Sequence, residues 1–441
     1  MKISIVGFGK LGSALAAAFV SRHEIIIPIE DPVRYAWPFW VYAFDKSPDA
    51  FTAPLQSTYP EPQVSELLSE ANARGNLELH TMDNAAKITD TSATFVIVPT
   101  PSLSDGSFDT NYCIEAMLST GEAIKDKDAY HLVVLSSTVM PSDCETKIIP
   151  ALELAAGRKL GDMLGFCYSP AFIAQGSVVD DFLDPDFVLI GGNELDAERL
   201  KMIYEELNPS FPGEETQYAL MSISSAEVTK LALNTYITLK ISFANTLAVL
   251  CHRTPDAHVD DVTGAMGLDS RVSPKYFKGA TGYGGPCFPR DGRAMMKALD
   301  KADLWNGYAG IPYISVKINQ VHVEFVGELA REALPEDGSV LVLGAAYKVG
   351  TPITEESFGL ALADYLALAR VEAMTIDPTL DGWSDFDALV RQADVIVVAL
   401  PYTHFQHLPY QPGQTIIDCW RSLDPNDLPS GVRYVPLGVG K

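Results

Sequence analysis

Residues 2 to 12, KISIVGFGKLG, constrain the fold of this chain more than any other stretch. KISIV is a short apolar strand, and Gly7, Gly9 and Gly12 follow it at GxGxxG spacing. The run SALAAAFVSR then has the small, apolar composition of a helix pressed against a sheet. Strand, glycine turn and helix in that register open a parallel α/β sheet. Gly7 makes the tight turn, Gly9 lets a pyrophosphate approach the backbone, and Gly12 lets the helix pack closely on the strand.

Such a turn needs an acidic residue at the end of the second strand to receive the adenosine ribose hydroxyls. Two residues compete. Glu30 follows HEIIIPI at close to the usual spacing, whereas Asp45 ends WVYAF and implies that residues 26 to 40 are inserted relative to a norm of ~20 residues. Either acid, without a basic cluster for a 2′-phosphate, favours NAD over NADP. Strand patterns continue at 94–102, 131–139, 163–170 and 186–192 in a βαβ rhythm. Their ends are small or hydroxylated, which puts Thr100 and Thr138 at the cofactor edge of the sheet.

At 441 residues the chain is too long for one core. A formal charge of −25 excludes nucleic acid as a partner and leaves phosphates to be held by local donors. No apolar run reaches the ~20 residues of a membrane span, and the N-terminus reads as a strand rather than a signal peptide. Cysteines 113, 144, 167, 251, 287 and 419 are scattered, without metal-type pairing. The expectation is a cytoplasmic protein with reduced thiols and no metal.

Residues 222 to 251 read as one long helix on which Lys230 and Asn234, four apart, share a face. A lysine on so apolar a helix needs a partner: it belongs either to an oxyanion-stabilising pair or to a structural salt bridge. A second α/β lobe begins near Gly338, with strand patterns at 371–377, 394–400 and 414–420. It has no complete GxGxxG and is expected to take a nucleotide or nucleotide sugar through Lys348 and Arg421. Between the lobes, GYGGPCFPRD (282–291) places Cys287 in a glycine-rich loop with Asp291 four positions on. An accessible thiol there suits nucleophilic catalysis, although alone the decamer also fits a turn around a buried thiol. The expected fold class is α/β, with two Rossmann-like doubly wound lobes joined by a long central helix and a helical middle domain. The boundaries are 1–214, 215–330 and 331–441.

In order, GFGKLG, AFDKSPDAF, VPTPS, SSTVMPSD, SPAFIAQGSVVDDFLDPDFVLIGG, AEVTKLALNTYITLKISFAN, DSRVSPKYFKGATGYGGPCFPRD, GAAYKVGT and DCWRS resemble the motifs of the nucleotide-sugar 6-dehydrogenases, typified by UDP-glucose 6-dehydrogenase. The resemblance covers nearly the whole chain and favours Asp45 over Glu30, because YPEPQVSELLSEANARGNLELHTM matches the stretch that follows the family's ribose acid. It implies that a sugar's sixth carbon is oxidised twice, each time with NAD. By that resemblance Cys287 forms a thiohemiacetal and then a thioester. Lys230 and Asn234 stabilise the oxyanions, and Asp291 moves protons with a water held by Thr138. Gly7, Phe8, Gly9, Lys10, Leu11, Gly12, Asp45, Thr100, Thr138, Gln175 and Arg290 would line the cofactor. Phe172, Lys230, Asn234, Arg271, Tyr276, Lys278, Gly284, Lys348 and Arg421 would bind the nucleotide sugar. Arg271 matches an arginine that reaches a neighbouring subunit's substrate, which implies a homodimer.

Some positions depart from the family pattern. Ala171 and Gln175 stand where glutamates are usual, Arg290 replaces a lysine, Glu355 replaces an arginine near the cofactor, and Phe358 a small residue or proline. Ala171 can do no acid–base chemistry, so thioester hydrolysis is expected to be slow or to use a different base. The alternatives to a UDP-glucose enzyme are one acting on a UDP-N-acetylhexosamine or GDP-mannose, and a catalytically impaired nucleotide-sugar-binding regulator. A dehydrogenase of simple hydroxy acids would leave Cys287 and the second lobe unaccounted for.

Overall fold

The computed structural model describes residues 1–21, 25–27, 33–35, 39–208, 215–304 and 307–440. The chain divides into two units, Met1–Lys230 and Leu231–Lys441. In the first, the runs of Ile, Val and Phe become buried strands: β1 (Lys2–Val6), β4 (Trp40–Asp45), β5 (Leu77–Thr81), β6 (Ala93–Val96), β7 (His131–Leu135), β8 (Leu164–Tyr168), β9 (Val188–Gly191) and β10 (Tyr218–Met221). β2 (Ile25–Ile27) and β3 (Val33–Tyr35) pair antiparallel as a separate two-stranded ribbon. The helices are α1 (Lys10–Ser21), α2 (Val64–Arg74), α3 (Asn111–Ile124), α4 (Ile149–Ala156), α5 (Val178–Leu183) and α6 (Glu194–Leu207). The long α7 (Ile223–His252) contains the division between the units.

The main sheet has the order β10-β9-β8-β7-β6-β1-β4-β5. From β5 to β8 every pairing is parallel, which is the 3-2-1-4-5-6 order of a dinucleotide-binding sheet. β9 meets β8 antiparallel at Tyr168 and Gly191, and β10 extends β9 in parallel. Side chains alternate between two apolar layers. Ile3, Ile5, Leu132 and Val134 pack with α1 on one face, and Val133, Leu135 and Phe166 with Met117 and Leu152 on the other. Ile25–Ile27 of the HEIIIPI pattern thus belong to the ribbon, and β4 is the second sheet strand. Glu30 lies outside the described residues. β4 pairs with β1, in register from Lys2 with Trp40 to Val6 with Phe44, so Asp45 follows beside the glycine turn.

The second unit holds α8 (Val259–Gly267), α9 (Phe288–Lys301), α10 (Gly310–Ala333) and a five-stranded parallel sheet. Its strands are β11 (Ser339–Leu343), β12 (Glu372–Ile376), β13 (Val395–Val398), β14 (Thr415–Asp418) and β15 (Arg433–Pro436). α11 (Phe358–Leu368), α12 (Pro378–Asp381) and α13 (Phe386–Gln392) connect them. The order β12-β11-β13-β14-β15 reverses between β11 and β13, where open sheets take ligands at the carboxyl ends of their strands.

The two units share a turn that the sequence hides. Gly7 (φ +97°) donates its N–H to the Phe44 carbonyl at 2.8 Å, and Gly344 (φ +115°) donates to the Ile376 carbonyl at the same distance. A Cβ on Gly12 would lie 1.8 Å from the Gly7 oxygen, and one on Gly359 would lie 1.9 Å from the Gly344 oxygen. Phe8 N–H donates to Asp45, and Ala345 and Ala346 N–H donate to Asp377. The second lobe therefore keeps the first and third glycines and the acid, with a long loop interposed. That loop caps α11 with its own Ser357 hydroxyl, which accepts from Leu360 N–H at 3.2 Å. Among the described residues no helix is long and apolar enough to cross a membrane.

Candidate active site

In the first unit, the turn between β1 and α1 is shaped for a dinucleotide. Gly7 and Gly12 admit no side chain, whereas a Cβ on Gly9 would meet nothing within 4 Å. Open space at a helix N-terminus, with N–H groups aimed outward, suits a pyrophosphate. Lys10 is exposed at that terminus and Leu11 is half-buried. Phe8 is different: its ring is buried against Phe51, and its N–H is bonded to Asp45 Oδ2 at 2.8 Å. Asp45 Oδ1 accepts from Ser47 N–H at 3.0 Å, which fixes the carboxylate at the strand end. This residue set fits NAD.

The loops after β6 and β7 are laced together. Thr100 Oγ1 donates to the Thr138 carbonyl at 2.8 Å, Ser137 Oγ donates to the Val98 carbonyl at 2.7 Å, and Val98 N–H donates back at 2.9 Å. Glu227, one turn before Lys230 on α7, holds the continuation. Its buried carboxylate accepts from Ser142 N–H at 2.7 Å and Cys144 N–H at 2.9 Å. Burial pushes its pKa up, against the pull of those N–H groups.

Lys230 is 8% exposed. Its Nζ donates to the Ala171 carbonyl at 2.7 Å and lies 4.4 Å from the centre of the Phe172 ring. That ring packs on Phe187 with centroids 4.9 Å apart. Ala171, which cannot act as an acid or base, thus contributes its backbone. Gln175 is half-buried in the same loop. Glu61 anchors the loop's far side by accepting from Gly176 N–H at 3.0 Å and Val178 N–H at 2.8 Å.

In the second unit, Cys287 is exposed and immediately precedes α9, while the other five cysteines are buried. Asp291 N–H closes the first helical turn onto the Cys287 carbonyl at 2.8 Å. The Asp291 carboxylate is fully buried and accepts from Asn234 Nδ2 at 2.6 Å and Arg290 Nε at 3.2 Å. Thiol, aspartate and asparagine are therefore built into one frame.

That frame is braced by residues the sequence reading missed. Asn245 brackets the loop, accepting from Ala280 N–H at 2.8 Å and donating to the Thr281 carbonyl at 3.1 Å. Asn319 does the same at Tyr283, with both bonds at 2.9 Å. His322 donates Nε2–H to the Ala280 carbonyl at 2.6 Å. Lys240 donates to the carbonyls of Val272, Ser273 and Lys275. Polar residues at the buried positions of α7 and α10 were the only signal, and it does not say which loop they hold.

The expected nucleotide-sugar residues have contrasting settings. Lys278 is exposed, and Tyr276 (φ +58°) sets its ring edge-on to Phe288, 6.0 Å away. Gly284 is buried, and Lys348 lies after β11 with Nζ 5.8 Å from the Tyr347 ring centre. Arg271 is exposed and paired with Asp269 two residues away at 2.6 Å. Arg421 is almost fully enclosed. It grips Asp260 with Nε and Nη2 at 2.8 Å each and donates to the carbonyls of Cys419, Leu437 and Gly279. Burial raises the Asp260 carboxyl's pKa, and the Arg421 guanidinium outweighs this, so the net shift is downward. All five N–H donors of Arg421 are used within its own unit.

Comparison with known proteins decides the family. Residues 52–208 match the NAD binding domain of the UDP-glucose/GDP-mannose dehydrogenase family, and residues 224–311 match its central domain. The chain belongs to this family. It is 34% identical over 412 residues to the UDP-glucose 6-dehydrogenase AglM of Haloferax volcanii, covering 90% of this chain and 89% of that protein. It is 27% identical to the GDP-mannose 6-dehydrogenase of Azotobacter vinelandii, covering 95% and 96%. The structure of a UDP-glucose dehydrogenase from Pyrobaculum islandicum superposes with a TM-score of 0.81 at 26% identity, covering 99% and 98% of the two chains. This chain is accordingly an NAD-dependent oxidoreductase of nucleotide sugars. The matched ranges begin after the glycine turn, which is marked by its own geometry.

Proposed function

We propose that this enzyme oxidises the C6 hydroxyl of UDP-glucose to the carboxylate of UDP-glucuronate through covalent intermediates on Cys287. The observation that carries the reading is an exposed thiol one turn from a buried Asp291 whose carboxylate is held by Asn234. The 34% identity to a UDP-glucose 6-dehydrogenase supports that sugar over GDP-mannose. When bound at the Gly7–Gly12 turn, NAD supplies the hydride acceptor for both oxidations.

The alcohol carbon first loses a hydride and its hydroxyl loses a proton, giving the aldehyde. The Cys287 thiolate adds to that carbonyl, forming a carbon–sulfur bond and an alkoxide. Lys230 and Asn234, a turn apart on α7, stabilise the negative oxygen by charge and by an amide donor. Loss of the second hydride leaves the thioester. Water, activated through Asp291 and Thr138, adds to the carbonyl and expels the thiolate. With Ala171 lacking a carboxylate, this last step is the slow one.

A homodimer is part of the reading. Tyr236, Phe243 and Leu250 are exposed at seven-residue spacing along α7, an apolar stripe suited to a second copy, and Arg271 is exposed. With reduced thiols, the site of action is the cytoplasm. The test of the covalent step is intact-protein mass after acid quench of a mixture with UDP-glucose and NAD. A UDP-sugar adduct on Cys287, absent in Cys287→Ser, is expected. Full turnover by Cys287→Ser contradicts the mechanism.

A further inference from the structure

The loop carrying Cys287 is tied to the segment after β11 at three points, and one of them is a side-chain pair without an assigned role. Gly285 N–H donates to the Glu355 carbonyl at 2.8 Å. Gly284 passes so near that a Cβ would lie 2.4 Å from the Glu356 carbonyl oxygen. Arg293, on α9, then clasps both carboxylate oxygens of Glu356, with Nη1 at 3.2 Å and Nη2 at 2.6 Å. Glu356 itself has φ +48°, a left-handed value that non-glycine residues seldom adopt.

The geometry points to Arg293 and Glu356 as positioning residues for Cys287. The inference rests on Cys287 being the nucleophile. Cys287 caps α9 and Asp291 rides on its first turn, so a fork from Arg293 to Glu356 sets the height and rotation of that turn. Glu356 belongs to the same loop as Lys348, at the carboxyl end of β11. The pair thus makes the nucleophile and the nucleotide-binding loop one mechanical piece. Its side chains are 39% and 50% exposed, so its direct contribution to stability is small and its effect lies in geometry.

The test uses the whole enzyme with Arg293→Gln, Glu356→Gln, the double variant and Arg293→Lys. Two readouts are taken: kcat and KM for UDP-glucose, and the pH profile of iodoacetamide alkylation at Cys287, the exposed thiol among five buried ones. Each glutamine variant should lower kcat on the order of 10- to 100-fold, as small misplacements of a reacting group do. KM should change by less than kcat does, because the groups that bind the substrate remain while the nucleophile is displaced. The alkylation profile should move in both, the double variant should be no worse than either single, and Arg293→Lys should recover part of kcat. Unchanged kcat and alkylation in both single variants, or additive losses in the double, overturn the inference. Alkylation reports the loop whether or not Cys287 acts in catalysis. Turnover by Cys287→Ser would therefore sink the nucleophile reading alone, and unaltered alkylation in Arg293→Gln would sink the positioning pair alone.

Discussion

His322 offers a quantitative test of how the Cys287 loop is supported. It sits on α10, 3% exposed, among the rings of Phe325 and Phe358, and its Nε2–H holds the Ala280 carbonyl. Burial lowers its pKa to about 4, against the opposing pull of that carbonyl. In the unfolded chain a histidine titrates near 6.5. Below that pH the unfolded state binds the proton and the folded state does not, so stability falls as pH falls, until the folded ring also protonates near pH 4. Between pH 8 and pH 5 the loss amounts to about 2 kcal/mol, and it approaches about 3 kcal/mol by pH 4. His322→Gln keeps a donor for the Ala280 carbonyl but cannot titrate. Urea unfolding of both proteins at pH 8, 6.5 and 5 should show the variant losing about 2 kcal/mol less than the wild type over that range. Identical pH dependence in the two proteins would refute the assignment of a buried neutral imidazole under this loop.

Other perturbations bear on the remaining pieces. Gly12→Ala puts a methyl 1.8 Å from the Gly7 carbonyl oxygen, so it should cost at least about 3 kcal/mol and abolish NAD binding by calorimetric titration. Arg421→Ala leaves the Asp260 carboxylate and three carbonyls without their donor, and urea unfolding should show a loss of about 3 kcal/mol. Ala171→Glu restores a carboxylate beside Lys230, and quenched-flow measurement should show thioester hydrolysis accelerated, by up to about 100-fold if the new group acts as a general base.

Much of this was legible in the residues because local pattern and global role coincide. KISIVGFGKLG is strand, turn and helix at the positions its spacing requires, and the apolar runs of both lobes became the central strands. Local pattern was silent where pairing decides. HEIIIPI is as apolar as a sheet strand, yet its Ile25–Ile27 pair with Val33–Tyr35 in a ribbon. β10 is half-exposed at a sheet edge and has no distinctive pattern, so it was not anticipated. The glycine turn of the second lobe escaped notice because Gly359 is far from Gly344 in sequence and meets it only in space.

The candidate site divides in the same way. Cys287, Asp291, Lys230 and Asn234 are chemically conspicuous, and their spacing suggested shared faces. Glu227, Lys240, Asn245 and Asn319 act by holding backbone groups of distant loops, which no spacing encodes. Arg421 shows the converse. A charge at a strand end invited a ligand, but its guanidinium is consumed by Asp260 and by carbonyls that tie the C-terminal segment to the loop before Cys287.

Four-electron oxidation through Cys287 is tested most directly by counting NADH formed per sugar consumed. With NAD in excess, UDP-glucose, UDP-N-acetylhexosamines and GDP-mannose are each supplied in turn. Two NADH per UDP-glucose, with UDP-glucuronate as product, is the predicted result. Two NADH per enzyme subunit followed by arrest, with no UDP-glucuronate released, would place the block at the thioester that Ala171 cannot help to hydrolyse. No NADH from any of these sugars, despite measurable binding, would contradict the account.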